Sequence, residues 1–277
     1  MTEMTQPPRP TVPQSLWQVP GRHPLLLALL AGPVSATGFA PLQWWPLLFA
    51  CLALLLWVVA RAPTLRSALF AGWLFGVGHF AVGNHWIQHA FDYQDKMPPV
   101  LGYVAVLLLA LYLALYPAMA AGLAWRCVRI RARDAAHHVD APFVLFFAAA
   151  WIVTEWLRGT LFTGYPWNPL GVAWLSVGNV AQAAGAIGTY ALSGVSVLAA
   201  GALVLALRRR WHMPAAFALL LLAVQILGAP APVPNYPETH PFVRVVQPNI
   251  GQEGTSDPDY PERVLSALIR LSAPRPA

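Results

Sequence analysis

Up to residue 227, apolar residues in this chain come in long, nearly unbroken runs separated by short polar stretches. Seven such runs, 25–39, 44–60, 67–90, 99–125, 142–157, 180–207 and 214–227, read as helices. A helix needs roughly 20 apolar residues to cross a hydrocarbon core, so the short first and last runs imply little tilt or a locally thinned bilayer. The pattern predicts a membrane all-α fold: a bundle of about seven transmembrane helices over 25–228, preceded by a Pro-rich, disordered tail over 1–24. No signal-peptide layout with a small-residue cleavage site is present, so the first run is expected to stay in the mature protein.

One run breaks its own rule. The fifth leads into Thr154-Glu155-Trp156-Leu157-Arg158-Gly159, which sets a carboxylate and a guanidinium three residues apart on one helical face. A charge at membrane depth is costly and faces a protein interior, a water-filled cavity or a headgroup. The helix is expected to stop at Gly159. Beyond it Gly164, Pro166 and Pro169 alternate with Phe162, Tyr165 and Trp167, a turn-rich aromatic stretch suited to the membrane–water boundary.

After residue 228 the pattern changes again. A stiff Pro-rich linker over 229–241 leads to a strand over 242–246, then to Gln247-Pro248-Asn249-Ile250. Asp257-Pro258 next offers an N-cap for a helix carrying Tyr260, Val264, Leu268 and Leu271 at helical spacing. A lone βα unit cannot bury a core, because its strand has no ladder partner and its helix no second layer. Residues 242–277 are therefore expected to be the beginning of an α/β domain, with the chain truncated inside it.

Composition narrows the class further. Hydrophobic residues make up 57% and charged residues 10% of the chain, and mean hydropathy is +0.54, too apolar for a soluble domain. The formal charge of +6 invites a nucleic-acid partner, but the arginines fall in short clusters between apolar runs and form no continuous face, so no nucleic acid is implied. Arg9 and Arg22 precede the first run. Arg61 and Arg66 separate the second from the third, Arg126, Arg129, Arg131 and Arg133 follow the fourth, and Arg208, Arg209 and Arg210 follow the sixth. The alternate loops hold Lys96, offset by Asp92 and Asp95, and Arg158. The positive-inside rule then places the N-terminus in the cytoplasm and everything after the seventh run outside. Cys51 and Cys127 sit in different segments with no C-x-x-C spacing, and are expected to be free, buried thiols.

Small residues mark packing faces. Gly72 and Gly76 form a G-x-x-x-G pair, and Ala184, Gly188, Ser193 and Gly201 keep part of the sixth run small; the simpler reading is close contact inside one bundle, not a dimer motif. Glu155 and Arg158 admit two readings that can hold together: an intrahelical ion pair, or a site for a phospholipid headgroup or substrate lipid, with Tyr165 and Trp167 beside it. His85, His89 and Asp92 share a face if the third run is helical throughout, as metal ligands would; no H-E-x-x-H accompanies them, and no metal is assigned. Trp44 and Trp45 read as interfacial anchors. The chain holds no G-x-S-x-G elbow, P-loop or dinucleotide fingerprint.

A series of motifs carries a resemblance along nearly the whole chain. Gly38-Phe39-Ala40-Pro41 with Trp44-Trp45, Gly83 and Trp86, Glu155-x-x-Arg158-Gly159 with Thr163-Gly164-x-Pro166-Trp167, and Val246-Gln247-x-Asn249-Ile250-x-Gln252 resemble the apolipoprotein N-acyltransferase family. The resemblance implies a membrane bundle carrying a nitrilase-like domain on the periplasmic side of a bacterial inner membrane. It implies transfer of an acyl chain from a membrane phospholipid, through a Cys thioester assisted by Glu and Lys, to the N-terminal amine of the diacylglyceryl-cysteine of an apolipoprotein. No cofactor is implied. The family's Glu should follow a second strand in a Trp-Pro-Glu-like segment, which this sequence lacks, and its Lys and Cys would lie further on. Neither Cys51 nor Cys127 matches the nucleophile, Glu253 and Glu262 are outside the motif, and Pro248 replaces the Gly expected in the turn. No catalytic residue is assigned, and the 277-residue chain alone is expected to be inactive. Two other classes remain: a non-catalytic membrane lipid-binding scaffold, and a transporter, against which stands the lack of an internal repeat.

Overall fold

The computed structural model describes residues 23–93, 97–131, 138–227, 243–251 and 254–273. The expected linker and nearly all of the expected N-terminal tail lie outside them, as does Phe242. The helices are α1 (Pro24–Ala36), α2 (Trp45–Ala60), α3 (Leu65–Gly83), α4 (His89–Asp92), α5 (Val100–Leu113), α6 (Leu115–Arg131), α7 (Ala141–Thr160), α8 (Ala184–Ile187), α9 (Thr189–Leu207), α10 (His212–Leu227) and α11 (Tyr260–Ser272). Each apolar run carries a helix. Four stretches, Leu65–Gly83, Val100–Ile130, Ala141–Thr160 and Thr189–Leu207, are long and apolar enough to cross a membrane, whereas α1, α2 and α10 are shorter.

The packing order closes on itself. α1 lies on α3, α3 on α6, α6 on α7, α7 on α9, α9 on α2, and α2 on α1. α2 also touches α3, α6 and α7, and buries residues from Leu48 to Ala60 on nearly all sides, as an all-round apolar helix does. Close approach depends on small residues. Gly72 and Gly76 face Pro117, Ala118 and Ala114 of the long fourth run, Gly32 faces the backbone of Phe75 and His79, and Gly201 faces Val144. The G-x-x-x-G pair thus serves contact within the bundle.

Three expected elements are redrawn. The run over 99–125 becomes α5 and α6 with a break at Ala114, because Pro117 has no N–H to continue the ladder. The helix expected over 180–207 begins only at Thr189, since Gly188 takes φ +82°. Ahead of it lie two 3-10 stretches, Leu170–Ser176 and Gly178–Ala183. Gln225 of α10 holds the second, accepting from Asn179 N at 2.9 Å and donating to the Val177 carbonyl at 3.2 Å. The third run stops as a helix at Gly83, short of the expected Ala90.

The C-terminal part matches the expectation in its helix only. Residues 243–250 form no strand, and Val243 and Val245 are almost fully exposed, as follows when no neighbouring strand supplies a ladder. α11 forms, but its N-cap is Asp259 with Pro261 in the first turn, in place of the expected Asp257-Pro258. Asp257 instead accepts from Arg263 at 3.4 Å. None of the α11 residues is buried.

Candidate functional site

α7 positions the site. Asp140 caps it by accepting from Phe143 N at 2.9 Å, Pro142 occupies the first turn, and a stripe at three- and four-residue spacing, Phe143, Phe147, Trp151, Thr154, Glu155 and Arg158, is buried against the bundle. The last two are an ion pair with Nη2 to Oε1 at 3.5 Å and side chains only 2% and 5% exposed for Arg158 and Glu155. Two charges this deep hold only if their remaining polar valences are met. Glu155 Oε1 also accepts from Leu170 N at 3.1 Å and from Trp151 Nε1 at 3.4 Å. Arg158 Nη1 donates to the Trp167 carbonyl at 2.8 Å, and the guanidinium lies 5.3 Å from the centre of the Phe80 ring.

The pair therefore ties down both ends of the loop that follows it: Arg158 holds Trp167, and Glu155 holds the first residue of the Leu170–Ser176 turn. α7 runs to Thr160, one residue past the expected stop, and Tyr165 N bonds back to the Arg158 carbonyl at 2.7 Å. Gly164, at φ +74°, fits because a Cβ there would collide with the Gly159 carbonyl. On the outer surface of this loop Phe162 is 88% exposed, and Trp167, half-exposed, packs its ring 5.4 Å from that of Trp86.

The four candidate residues thus separate into two layers. Glu155 and Arg158 are interior, Tyr165 is half-buried, and Trp167 meets the surroundings. Tyr165 donates its hydroxyl proton to Asn84 Oδ1 at 2.8 Å; burial pushes its phenol up, an effect partly opposed by the Arg158 charge. Asn84, buried at the end of α3, has no partner for its Nδ2.

Other candidates disperse. His85 bonds the Val82 carbonyl at 2.8 Å, whereas His89 pairs with Asp92 at 3.0 Å, because a 3-10 turn over His85–Gln88 rotates the first away from the others. Among the described residues no group of three His, Cys, Asp or Glu could hold a metal. Trp44 is 54% exposed, and Trp45 packs on Phe49. Both thiols are free, but only Cys51 is buried; Cys127 is half-buried.

Several polar residues were invisible from spacing. Ser35 donates to the Gly32 carbonyl at 2.6 Å, so its oxygen accepts from His79 Nδ1 at 2.7 Å, and that ring lies among Phe39, Phe75 and Phe80. Ser193 accepts from Gly171 N and Ser196 from Trp174 Nε1, each at 2.8 Å, anchoring the 3-10 stretch on α9. The one available signal was a polar residue inside an otherwise apolar run.

A family model described as the apolipoprotein N-acyltransferase N-terminal domain matches residues 31–202. An apolipoprotein N-acyltransferase of Ralstonia nicotianae is 35% identical over 256 residues, covering 91% of this chain and 47% of that protein. The protein of that name from Rhodopseudomonas palustris is 30% identical over 270 residues, covering 90% and 48%, and that of Shewanella oneidensis is 34% identical over 243 residues, covering 85% and 44%. The chain spans about half the length of the curated relatives it matches.

Proposed function

Because this chain belongs to the apolipoprotein N-acyltransferase family, we propose that it supplies the membrane platform for N-acylation of bacterial lipoproteins. In the reaction, a Cys thiolate takes an acyl chain from a membrane phospholipid, releasing the lysophospholipid. The thioester then passes that chain to the α-amine of a diacylglyceryl-cysteine and regenerates the thiol. The Glu, Lys and Cys of that chemistry match no position in these 277 residues, so this part of the protein presents lipid and does not perform the transfer.

The match of residues 31–202 to the family's N-terminal domain carries the reading. With it goes our reading of 25–228 as a bundle of about seven spans, 229–241 as a linker and 242–277 as the start of a nitrilase-like domain. Trp167, Tyr165 and the neighbouring Trp86 form the surface that receives a phospholipid headgroup. Glu155 and Arg158, too deep to reach a headgroup directly, hold that surface in place. A chimera joining residues 1–241 to the second half of the Ralstonia nicotianae relative should N-acylate lipoproteins in cells depleted of their own enzyme, read by mass spectrometry of lipoprotein N-termini. Trp167→Ala in that chimera should raise KM for phospholipid with kcat little changed. An inserted chimera without activity would overturn the proposal, as would acyl transfer by the 277-residue chain alone.

The orientation proposed with it is a multi-pass protein of the inner membrane, N-terminus in the cytoplasm and residues from 243 onward in the periplasm. It is supported by arginines from three separate helix ends meeting on one side: Arg61 and Arg210 lie near Arg208, and Arg129 bonds the Ala62 carbonyl at 3.2 Å. Alkaline phosphatase fused after residue 251 should be active and a fluorescent protein that matures only in the cytosol should stay dark. The reverse pattern would refute the orientation.

A further inference from the structure

At the arginine-rich end of the bundle, opposite the Trp167 loop, a cavity of about 430 Å³ opens between the first turn of α1, the last turn of α2 and the start of α3. That volume falls within the range of small-ligand sites. Pro24, Leu25 and Val58 give it apolar walls, while Arg61, Trp57 and Ser67 supply the polar ones.

Several features there favour an anion. The Arg61 guanidinium lies 4.5 Å over the Trp57 ring, and a guanidinium held flat on an aromatic keeps its donors in one plane, which suits the oxygens of a phosphate. Trp57 is only 8% exposed, yet its Nε1 has no acceptor. A buried N–H without a partner is uncommon in a native fold. Two helices also begin at this cavity. α1 starts at Pro24 with no side-chain cap from His23, and α3 starts at Leu65, so both direct the positive ends of their dipoles toward it. α2 ends here with the opposite sign, and Arg61, its C-cap residue, offsets that end.

The surroundings are basic. Burial lowers the Arg208 pKa, and the charges of Arg61 and Arg210 lower it further. Arg129 stacks on Trp125 at 4.8 Å and shares the Ala62 carbonyl with the Trp125 N–H. The described carboxylate at this end, Asp140, is engaged as the cap of α7.

We propose that this cavity binds the phosphate of an anionic membrane phospholipid, with Arg61 and Trp57 Nε1 as donors and Leu25 and Val58 against the first carbons of its acyl chains. Such a lipid is a resident of the arginine-rich leaflet and is not the acyl donor, which the proposed reaction places at the other end of the bundle. The site follows from the bundle alone and stands whether or not the acyl-transfer reading does.

The test uses the purified 277-residue chain in detergent, titrated with phosphatidylglycerol, with phosphatidylcholine of the same acyl chains, and with inorganic phosphate, and read by native mass spectrometry. One phosphatidylglycerol should be retained in preference to phosphatidylcholine. Arg61→Gln should raise its Kd by about tenfold, as loss of one charge-assisted contact does. Arg66→Gln, at the same end but outside the cavity lining, should change it less than about twofold on the scale of an exposed charge. Trp57→Phe keeps the ring and should still weaken binding, whereas a purely structural Trp57 would leave affinity unchanged. Leu25→Trp fills the cavity from a partly exposed wall position and should abolish retention even if Arg61→Gln fails to fold. Equal retention of the two lipids, insensitivity to Leu25→Trp, or displacement of the lipid by millimolar phosphate would overturn the proposal, the last by revealing a free-phosphate site.

Discussion

Replacing Glu155 alone with Leu is expected to destabilise the bundle by about 3–5 kcal/mol, more than replacing Glu155 and Arg158 together with apolar residues. The reason lies in what each variant leaves behind. Arg158 is 3% exposed and is held by Glu155, by the Trp167 carbonyl and by the face of Phe80; without the carboxylate, one hydrogen bond and a ring face remain for a full positive charge. A guanidinium does not shed its proton in a protein, so the charge stays. Arg158→Leu should be the milder single change, because an abandoned carboxylate can neutralise by taking up a proton. Both single changes also release the loop, freeing either the Leu170 amide or the Trp167 carbonyl. Unfolding in mixed micelles with increasing dodecyl sulfate gives the ordering directly. Additive single costs would mean that the two charges do not depend on each other. In the active chimera the same variants should lose phospholipid use together with stability, whereas Trp167→Ala should lose the former alone.

Gly72→Leu should leave little folded protein, and even Gly72→Ala should cost about 1–3 kcal/mol as overpacking does. In an isolated helix the alanine would stabilise by about 1 kcal/mol. Here a Cβ on Gly72 would stand 2.6 Å from the Pro117 carbonyl oxygen and 2.8 Å from the Ala121 Cβ, so α3 would have to move off α6. The obstacle is helix backbone, which has no rotamer to yield. Gly83, at the end of the same helix, has nothing within 4 Å of its would-be Cβ, and Gly83→Ala should be neutral or mildly stabilising. Monodisperse yield and the same micelle titration separate the two. A Gly72→Leu protein as stable as its parent would show that α3 and α6 do not approach this closely.

Much of this is legible in the sequence. Runs such as 44–60 and 142–157 specify helices because an unbroken apolar stretch must bury all its backbone polar groups in its own hydrogen bonds. The Glu155–Arg158 pair was legible because three residues on a helix place two side chains on one face, a purely local rule. Its meaning was not. Whether the pair faced lipid or protein depended on Leu170 and Trp167, which reach it only when the loop folds back. The expected strand failed for the converse reason: local propensity favours an extended segment at 243–246, but a strand is completed by a neighbour.

What the sequence determined by itself was an apolar, mainly helical chain, the order of its apolar runs and the clustering of arginines in alternate loops, all of which follow from composition and short-range spacing. Its motif series added the resemblance to the apolipoprotein N-acyltransferase family. Tertiary structure alone decided that Tyr165 finds Asn84 across 81 residues of chain, that Ser35 finds His79 across 44, and that Arg61 and Trp57 form a cavity wall with the start of α1. Such partners are chosen by how helices of nearly uniform hydrophobicity pack, and where every face is apolar it is the small residues, Gly32, Gly72 and Gly76, that set which helices come close enough for a buried polar group to be satisfied.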